Sequence, residues 1–260
     1  MTSNPGPDQN AGLQDQPGVY VYGILDTSDP VPSGLASVGD GDEEVRLASH
    51  GGLSAVISDI ALDRPLGTRE DLLAHEQVLD SVAQERTVLP MRFGSVVRTE
   101  DAVVDELLAP HQEHFESVIS ELSGLVQFTV RGRYVASAHL REIVEDDPAI
   151  RELRDALQGV EDDAGYPERL RLGELVNDAV VQKREADAEV LVDALKPGVV
   201  ATAGHQLAGE DSAVDMAFLV ERQRRADFER AVDDLGEQWR ERVQLRLIGP
   251  LAPYDFLPES

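Results

Sequence analysis

The sequence contains no cysteine among its 260 residues. The chain therefore has no disulfide bond, no thiolate zinc site and no cysteine nucleophile. A reducing cytoplasm is the compartment that suits such a chain. Lysine is also scarce, because only Lys183 and Lys196 stand among 23 basic residues, which leaves 21 arginines. This arginine bias fits both a high-salt cytoplasm and a GC-rich coding bias.

Positive charge is in short supply as well. Fifty acidic residues against 23 basic residues give a formal net charge of −27. Such a charge repels phosphate groups, so the composition argues against nucleic acid and anionic membrane surfaces as partners. No stretch approaches the ~18 apolar residues that a membrane span needs. Residues 1–17 have neither a basic nor an apolar segment, and we predict a disordered tail there rather than a signal peptide.

The hydrophobic pattern predicts an α+β protein with two domains. Residues 18–123 form the first, a small α+β unit with strands at 19–25, 44–48 and 52–60. A helix is predicted to begin after Thr68, which can cap it, and to run to about Gln84. A second helix is predicted from Thr99 to Leu122, with a bend at Pro110 because proline removes a backbone donor.

Residues 124–249 form the second predicted domain, with the element order β, α, β, β, α, β. This order is typical of a ferredoxin-like domain, here with its first crossover enlarged into a helical hairpin at about 138–195. The predicted helix 167–194 carries a seam with the alternating spacing of a coiled coil. A seam of this kind needs a partner helix, either the preceding helices or another chain. Its members are Leu172, Val176, Ala179, Lys183, Ala186 and Val190.

Residues 86–97, RTVLPMRFGSVV, interrupt an apolar run with a proline, a cation and a glycine. Proline cannot donate to a strand ladder and glycine weakens a central strand, so we predict a position at the edge of a sheet. Because successive side chains of a strand point to opposite faces, Leu89, Met91 and Phe93 share one face, which we predict to be the core side. An edge strand can accept another chain. The candidate partner-binding residues are Pro90, Met91, Arg92, Phe93 and Gly94; the alternative is a proline-terminated strand with a solvated arginine.

The segment 250–260 is the predicted C-terminal arm. Its sequence GPLAPYDFLP, which starts at Gly249, is unsuited to a helix or a central strand. We predict an extended arm that fixes domain orientation by packing its aromatic side chains on the body of the protein. The structural residues are Pro250, Pro253, Tyr254 and Phe256.

The most metal-like stretch is His111-Gln112-Glu113-His114. Two histidines at this spacing lack a fixed third ligand, and His111 falls in the apolar stripe of its predicted helix. No serine lies in a nucleophile elbow. We therefore predict no metal, no cofactor and no catalytic residue.

Seven short motifs, taken in order, resemble the gas vesicle synthesis protein F/L family. The resemblance covers residues 19–257 and fits both the F and the L branch. Its motifs are YVYGI at 20–24, LSAVIS at 53–58, HEQVL at 75–79, VLPMRFG at 88–94, RLRLGELV at 169–176, FLVE at 218–221 and GPLAPYDF at 249–256.

The resemblance implies a cytoplasmic, non-enzymatic accessory protein that is associated with gas vesicles. Such a protein would bind the hydrophobic shell protein A and other accessory proteins while the vesicle wall nucleates or grows. The alternative is a small-ligand-binding regulatory protein or an enzyme, because ferredoxin-like domains host both.

Overall fold

The computed structural model describes residues 17–26, 31–39, 43–61, 65–161 and 164–258. The predicted tail, apart from residue 17, lies outside these ranges. The protein is a mixed α+β fold with two antiparallel sheets, which confirms the predicted class. The chain folds into two compact units. Unit 1 holds the described residues up to Val126 together with those from Pro250 onward, and unit 2 holds Gln127–Gly249.

Unit 1 is built on a five-stranded sheet in which β1 is central. The strand order is β2-β3-β1-β4, and β5 also pairs with β1. The pairings of β1 with β3, β4 and β5, and of β2 with β3, are antiparallel. The strands are β1 Pro17–Leu25, β2 Arg46–His50, β3 Leu53–Ala61, β4 Leu89–Pro90 and β5 Val96–Val97.

The first helix of unit 1, α1 (Arg69–Ala83), begins where the sequence predicts. Thr68 accepts a hydrogen bond from the Asp71 backbone, and the Asp71 carboxylate accepts one from the Thr68 backbone in return. This capping box satisfies donors that a helix start leaves open. The inward face of α1 packs on the sheet and includes Val78, Leu79 and Val82.

The predicted second helix is broken rather than bent. A short α2 (Glu100–Ala102) continues as π-helix over Val103–Leu108, and α3 (Gln112–Leu122) starts after the break. Because Pro110 lies in the break, the two parts do not share one stripe. His111 is consequently exposed and not on the apolar face, and its Nδ1 contacts the Leu107 carbonyl at 2.9 Å.

Unit 2 is built on a four-stranded sheet with the order β7-β8-β6-β9. Three helices lie between the first two strands, within the predicted enlarged crossover at about 138–195, and a further helix follows β8. The strands are β6 Leu125–Tyr134, β7 Val199–Gly204, β8 Ser212–Glu221 and β9 Val243–Leu251. The helices are α4 Ala138–Asp146, α5 Pro148–Ala156, α6 Tyr166–Leu195 and α7 Arg225–Trp239.

Helix α6 finds partner helices within its own chain, because α4, α5 and α7 all contact it. The predicted seam is wrong in its C-terminal half. Val190 is 51% exposed and Ala186 is also exposed, whereas the buried positions are Asp187, Leu191 and Leu195. A straight helix with 3.6 residues per turn drifts away from a strict seven-residue repeat, so the buried face of a 30-residue helix moves around its axis.

Candidate functional site

The candidate partner-binding segment lies at the margin of the unit 1 sheet. Strands β4 and β5 are both two residues long and both pair with β1. In the strand order, no described strand follows β4 on its outer side. The paired residues are Leu89 with Ile24, Pro90 with Gly23, Val96 with Tyr20 and Val97 with Val19.

Residues 91–95 form a loop between these two short strands. The Met91 backbone N–H donates to the Tyr22 carbonyl at 2.8 Å, and the Val21 N–H donates to the Ser95 carbonyl at 2.9 Å. Between these anchors the chain turns. Gly94 has a φ of +85°, a conformation that favours glycine.

The turn presents Arg92 to solvent. The Arg92 carbonyl accepts hydrogen bonds from both the backbone and the hydroxyl of Ser95, at 3.2 and 2.7 Å. The Arg92 and Gly94 residues are exposed, whereas Met91 and Phe93 are half-buried. The loop therefore combines an exposed cation with partly accessible apolar side chains.

The predicted alternation of buried and exposed residues is wrong at the start of this segment. Val88, Leu89 and Pro90 are all buried. Val88 belongs to the main core cluster of unit 1, and Phe93 packs against that cluster. The expected alternation of buried and exposed side chains fails because the rest of unit 1 covers both faces of this short strand.

A chain of hydrogen bonds connects the loop to the interior of unit 1. The Gly94 N–H donates to the Tyr20 hydroxyl at 3.0 Å. The same hydroxyl lies 3.0 Å from Nδ1 of His75, whose Nε2 lies 2.7 Å from the Tyr254 hydroxyl. The Tyr20 oxygen has two acceptor lone pairs, so the bond from Gly94 leaves it able either to accept from Nδ1 or to donate to it. Both ring nitrogens of His75 are therefore linked to a tyrosine hydroxyl.

The same residues form an aromatic cluster, which we define as Tyr20, Tyr22, His75, Phe93 and Tyr254. The His75 ring meets the Phe93 ring edge-on at 5.6 Å between centroids and stacks on Tyr22 at 5.9 Å. Tyr20 lies 4.8 Å from Tyr22 and 6.1 Å from Phe93. Contacts of this kind hold the rings in fixed relative positions. Phe93 therefore anchors the loop to the other rings of the aromatic cluster.

His75 is the centre of the cluster and is only 3% exposed. Burial lowers the pKa of His75 to about 4, although the Met91 carbonyl favours its charged form and opposes the shift. With its pKa lowered in this way, His75 is neutral at pH 7, so one of its ring nitrogens donates and the other accepts.

The C-terminal arm reaches this cluster through Tyr254. Pro250 and Pro253 are buried, and the Ala252 N–H donates to the Asp80 carboxylate at 3.3 Å. The arm is not extended throughout, because β9 continues to Leu251 and Tyr254–Phe256 form one turn of 3₁₀ helix. Phe256 is half-buried.

Acidification is expected to destabilise unit 1 through His75. An unfolded chain protonates its histidine near pH 6.5, whereas buried His75 stays neutral down to about pH 4. The unfolded state binds more protons in this window, so the free energy of unfolding falls as pH falls from 6.5 to 4. The whole difference amounts to roughly 3 kcal/mol. Urea denaturation at a series of pH values measures it.

Asp80 changes the pH dependence of the free energy of unfolding in the opposite direction to His75. The test is therefore made in variants that lack the Asp80 carboxyl group. Burial raises the pKa of Asp80 to about 6 from 3.8, so its contribution is present at low pH and is lost as pH rises through 6. The informative pair is Asp80→Asn and the double variant Asp80→Asn with His75→Gln. Between about pH 7.5 and 4, the advantage of histidine over glutamine should shrink by roughly 3 kcal/mol. A constant difference would contradict a buried, neutral His75.

The sequence pointed to the loop and to the arm as separate features and missed the residues that join them. In the sequence, Tyr20 belongs to a predicted strand and to the motif YVYGI, and His75 belongs to a predicted helix and to the motif HEQVL. A histidine on a buried face is the signal that could have found the link, since it needs polar partners there. Within the described ranges, no group of three His, Asp or Glu side chains is placed to hold a metal ion.

The fold and the site define a two-unit α+β protein that presents a looped sheet margin beside an aromatic cluster centred on buried His75. The profile of the gas vesicle synthesis protein GvpL/GvpF family matches residues 18–258. The chain therefore belongs to this family, as the motifs predicted, and has a role in gas vesicle formation.

Individual relatives agree with this assignment. Gas vesicle protein F of Streptomyces sp. (strain CB03234) is 35% identical and covers 92% of this chain and 98% of its own. The crystal structure of GvpF from Anabaena sp. PCC7120 is 27% identical, with a TM-score of 0.78 over 94% of this chain and 99% of the other. The crystal structure of GvpF from Microcystis aeruginosa is 26% identical, with a TM-score of 0.72 over 92% of this chain and 98% of the other.

In the part of the chain that the structure describes, no helix has both the length and the apolar character to cross a membrane.

Proposed function

We propose that the protein is a non-enzymatic assembly factor of the cytoplasm that associates with gas vesicles and binds their hydrophobic shell protein A. The observation that carries the proposal is the loop 91–95, which interrupts strand pairing at the sheet margin and exposes Arg92. An interrupted margin can pair with an added strand of another chain. Other accessory proteins of the vesicle wall are further expected partners.

The strong negative charge supports this role. A hydrophobic subunit that polymerises through β-structure has to be kept from self-association until it reaches the growing wall. A partner with a net charge of −27 keeps a joint complex soluble by repulsion between complexes.

We also propose that unit 2 is a ferredoxin-like domain with an enlarged first crossover. Its strand order β7-β8-β6-β9 has the first and third strands of the unit at the centre. Two strands that follow each other in sequence, β7 and β8, pair antiparallel, as in the split βαβ motif.

Co-expression with shell protein A tests the proposed function. We expect the shell protein to remain soluble and to co-purify with the full chain. Shell protein that stays insoluble would refute the proposal. A metal or metabolite retained by the purified protein, with a thermal shift on its addition, would then favour the ligand-binding or enzymatic alternative.

The charge reversal Arg92→Glu is expected to lower recovery of the shell protein about tenfold, because a charge at the rim of an interface governs association and register. The side chain is exposed, so the fold should persist. Quantitative pull-down from co-expressing cells measures the effect, and circular dichroism checks the fold.

Arg171→Glu is the matched control for this test. It makes the same charge change at an exposed position of α6, in unit 2. Recovery should remain at the wild-type level in the control. If Arg92→Glu and Arg171→Glu retain the shell protein equally, the loop is not the docking site. Phe93→Ala is a weaker test because Phe93 packs on the core and its loss also affects stability.

A further inference from the structure

Helix α6 carries a row of exposed apolar side chains that the described helices around it leave uncovered. Tyr166, Leu170 and Val181 are 66%, 55% and 46% exposed. Gly173 and Asn177, which lie between them, are exposed as well. These five residues, which we call the α6 stripe, follow one another at spacings of three or four and therefore share one face of the helix. An apolar row of about 22 Å on a charged surface marks an interaction site.

The α6 stripe is complementary to a second copy of itself that runs antiparallel. A two-fold axis between residues 174 and 175 places Val181 of one copy level with the gap between Tyr166 and Leu170 of the other. The same axis places Asn177 of one copy about 3 Å beyond Leu170 of the other. Side chains of the two copies therefore alternate along the pair at steps of about 3 Å, which lets the two helices interdigitate.

Gly173 lies next to the two-fold axis in this arrangement. A Cβ atom added to it would meet no atom within 4 Å, so packing within the described chain does not require a glycine there. Glycine destabilises a helix interior relative to alanine. A small residue at the crossing point lets two helices approach closely, because the distance between their axes depends on the side chains at the contact. Close packing against a second helix is a physical reason for this glycine.

Charge fixes the orientation and the register of the pair. Arg171 and Asp178 are exposed on one flank of the α6 stripe, and neither forms an ion pair within the described part of the chain. They lie equally far from the two-fold axis between residues 174 and 175, on opposite sides of it. An antiparallel pair therefore brings Arg171 of each copy level with Asp178 of the other. A parallel pair would instead bring each charge against its own copy, which is repulsive.

Two repulsive effects oppose this pairing, and both are limited. Glu174 lies near its own copy at the axis, but the Arg171 side chains of both copies lie on either side of it, within about one helical turn. The formal net charge of −27 on each copy repels the other at long range. Salt screens exposed charges beyond about 8 Å at physiological ionic strength, whereas opposed side chains of a helix pair lie closer than that. The pairing is therefore expected at physiological salt.

We propose that the α6 stripe is a self-association surface, on which a second copy of the protein binds antiparallel through reciprocal ion pairs of Arg171 with Asp178. Helix α6 then packs on α4, α5 and α7 within its own chain and, on a different face, on α6 of the second copy. Apolar burial supplies affinity, and the ion pairs supply orientation. Each copy keeps its own loop 91–95, so the proposed binding of the shell protein does not require the pairing.

Sedimentation equilibrium of the full chain at about 0.15 M salt measures the pairing. We expect a reversible monomer–dimer equilibrium with a dissociation constant of about 1–100 μM, in keeping with a small interface. A chain that stays monomeric up to about 1 mM would overturn the proposal.

The variant Leu170→Glu should raise this dissociation constant about tenfold or more, because it places a charge in the centre of the apolar contact. Val190→Glu is the matched control, since Val190 is also an exposed apolar residue of α6 but lies on the opposite face of the helix. The control should pair like the wild type. Both positions are exposed, so the fold should persist, and circular dichroism checks it. Equal weakening by Leu170→Glu and Val190→Glu would exclude the α6 stripe as the interface.

A charge exchange tests the register. Arg171→Glu and Asp178→Arg should each weaken the pairing about tenfold, because each brings like charges level with one another. The double variant should pair within about threefold of the wild type, since it restores both ion pairs. An equimolar mixture of the two single variants should form a heterodimer, because the carboxylates of one then face the arginines of the other. Single variants that pair like the wild type, or a mixture that stays monomeric, would contradict the antiparallel arrangement.

Discussion

Replacing Asp187 with alanine is expected to lower the free energy of unfolding by roughly 3–5 kcal/mol, because it breaks a buried ion pair. The Asp187 side chain is only 7% exposed. It accepts hydrogen bonds from the Tyr134 hydroxyl at 2.8 Å and from the Arg242 guanidinium at 2.8 and 2.9 Å. Without the carboxylate, a largely buried arginine keeps the Glu142 carboxylate and the Trp239 ring as partners but loses two hydrogen bonds, and Tyr134 loses its acceptor.

The control for Asp187 is an ion pair of the same kind on the surface. Glu237 lies 3.5 Å from Arg240, and their side chains are 77% and 70% exposed. Glu237→Ala should change the stability by less than about 1 kcal/mol, since exposed pairs contribute little. Urea denaturation of both variants gives the comparison. Similar losses for Asp187→Ala and Glu237→Ala would show that burial does not set the strength of this pair.

The variant Gly23→Ala is expected to destabilise unit 1 by about 3 kcal/mol through overpacking. A Cβ atom at this position would lie 2.8 Å from side-chain carbons of Leu79 and Val88, and 2.9 Å from the Leu89 carbonyl oxygen. The last contact is with backbone, which cannot move aside without disturbing the pairing of β4 with β1. Thermal and urea unfolding measure the loss.

Gly173→Ala is the control for Gly23→Ala. It lies within a helix, and its Cβ would meet no atom within 4 Å. Alanine there should stabilise the protein by about 0.5–1 kcal/mol, the usual gain for a helix interior. Equal stability of the two variants would contradict the close approach between β1 and β4. Gly23→Ala should also weaken the proposed binding of the shell protein, because the displaced strand β4 leads directly into the loop 91–95.

Local signals in the sequence predicted many elements of the fold. The capping residues Thr68 and Asp71 mark the start of α1, and the aromatic and β-branched run from Val19 marks β1. These predictions succeeded because caps and strand patterns depend on nearest neighbours along the chain. The predicted seam of α6 failed beyond Lys183 because its buried face is set by helices that pack from several sides.

The candidate site was predictable only in part. Pro90 and Gly94 indicated an interrupted strand, and the three prolines after Gly249 indicated an arm. A histidine in a predicted helix face indicates that polar partners are needed, but the sequence does not say which residues they are, because Tyr20 and Tyr254 lie 55 and 179 residues away.

The sequence by itself determined the α+β class, the family and the acidity, because composition and ordered motifs are properties of the linear chain. Only the tertiary structure decided which strands form the margin and which residues surround His75. These features depend on contacts between residues distant in sequence, and such contacts exist only after the chain has folded.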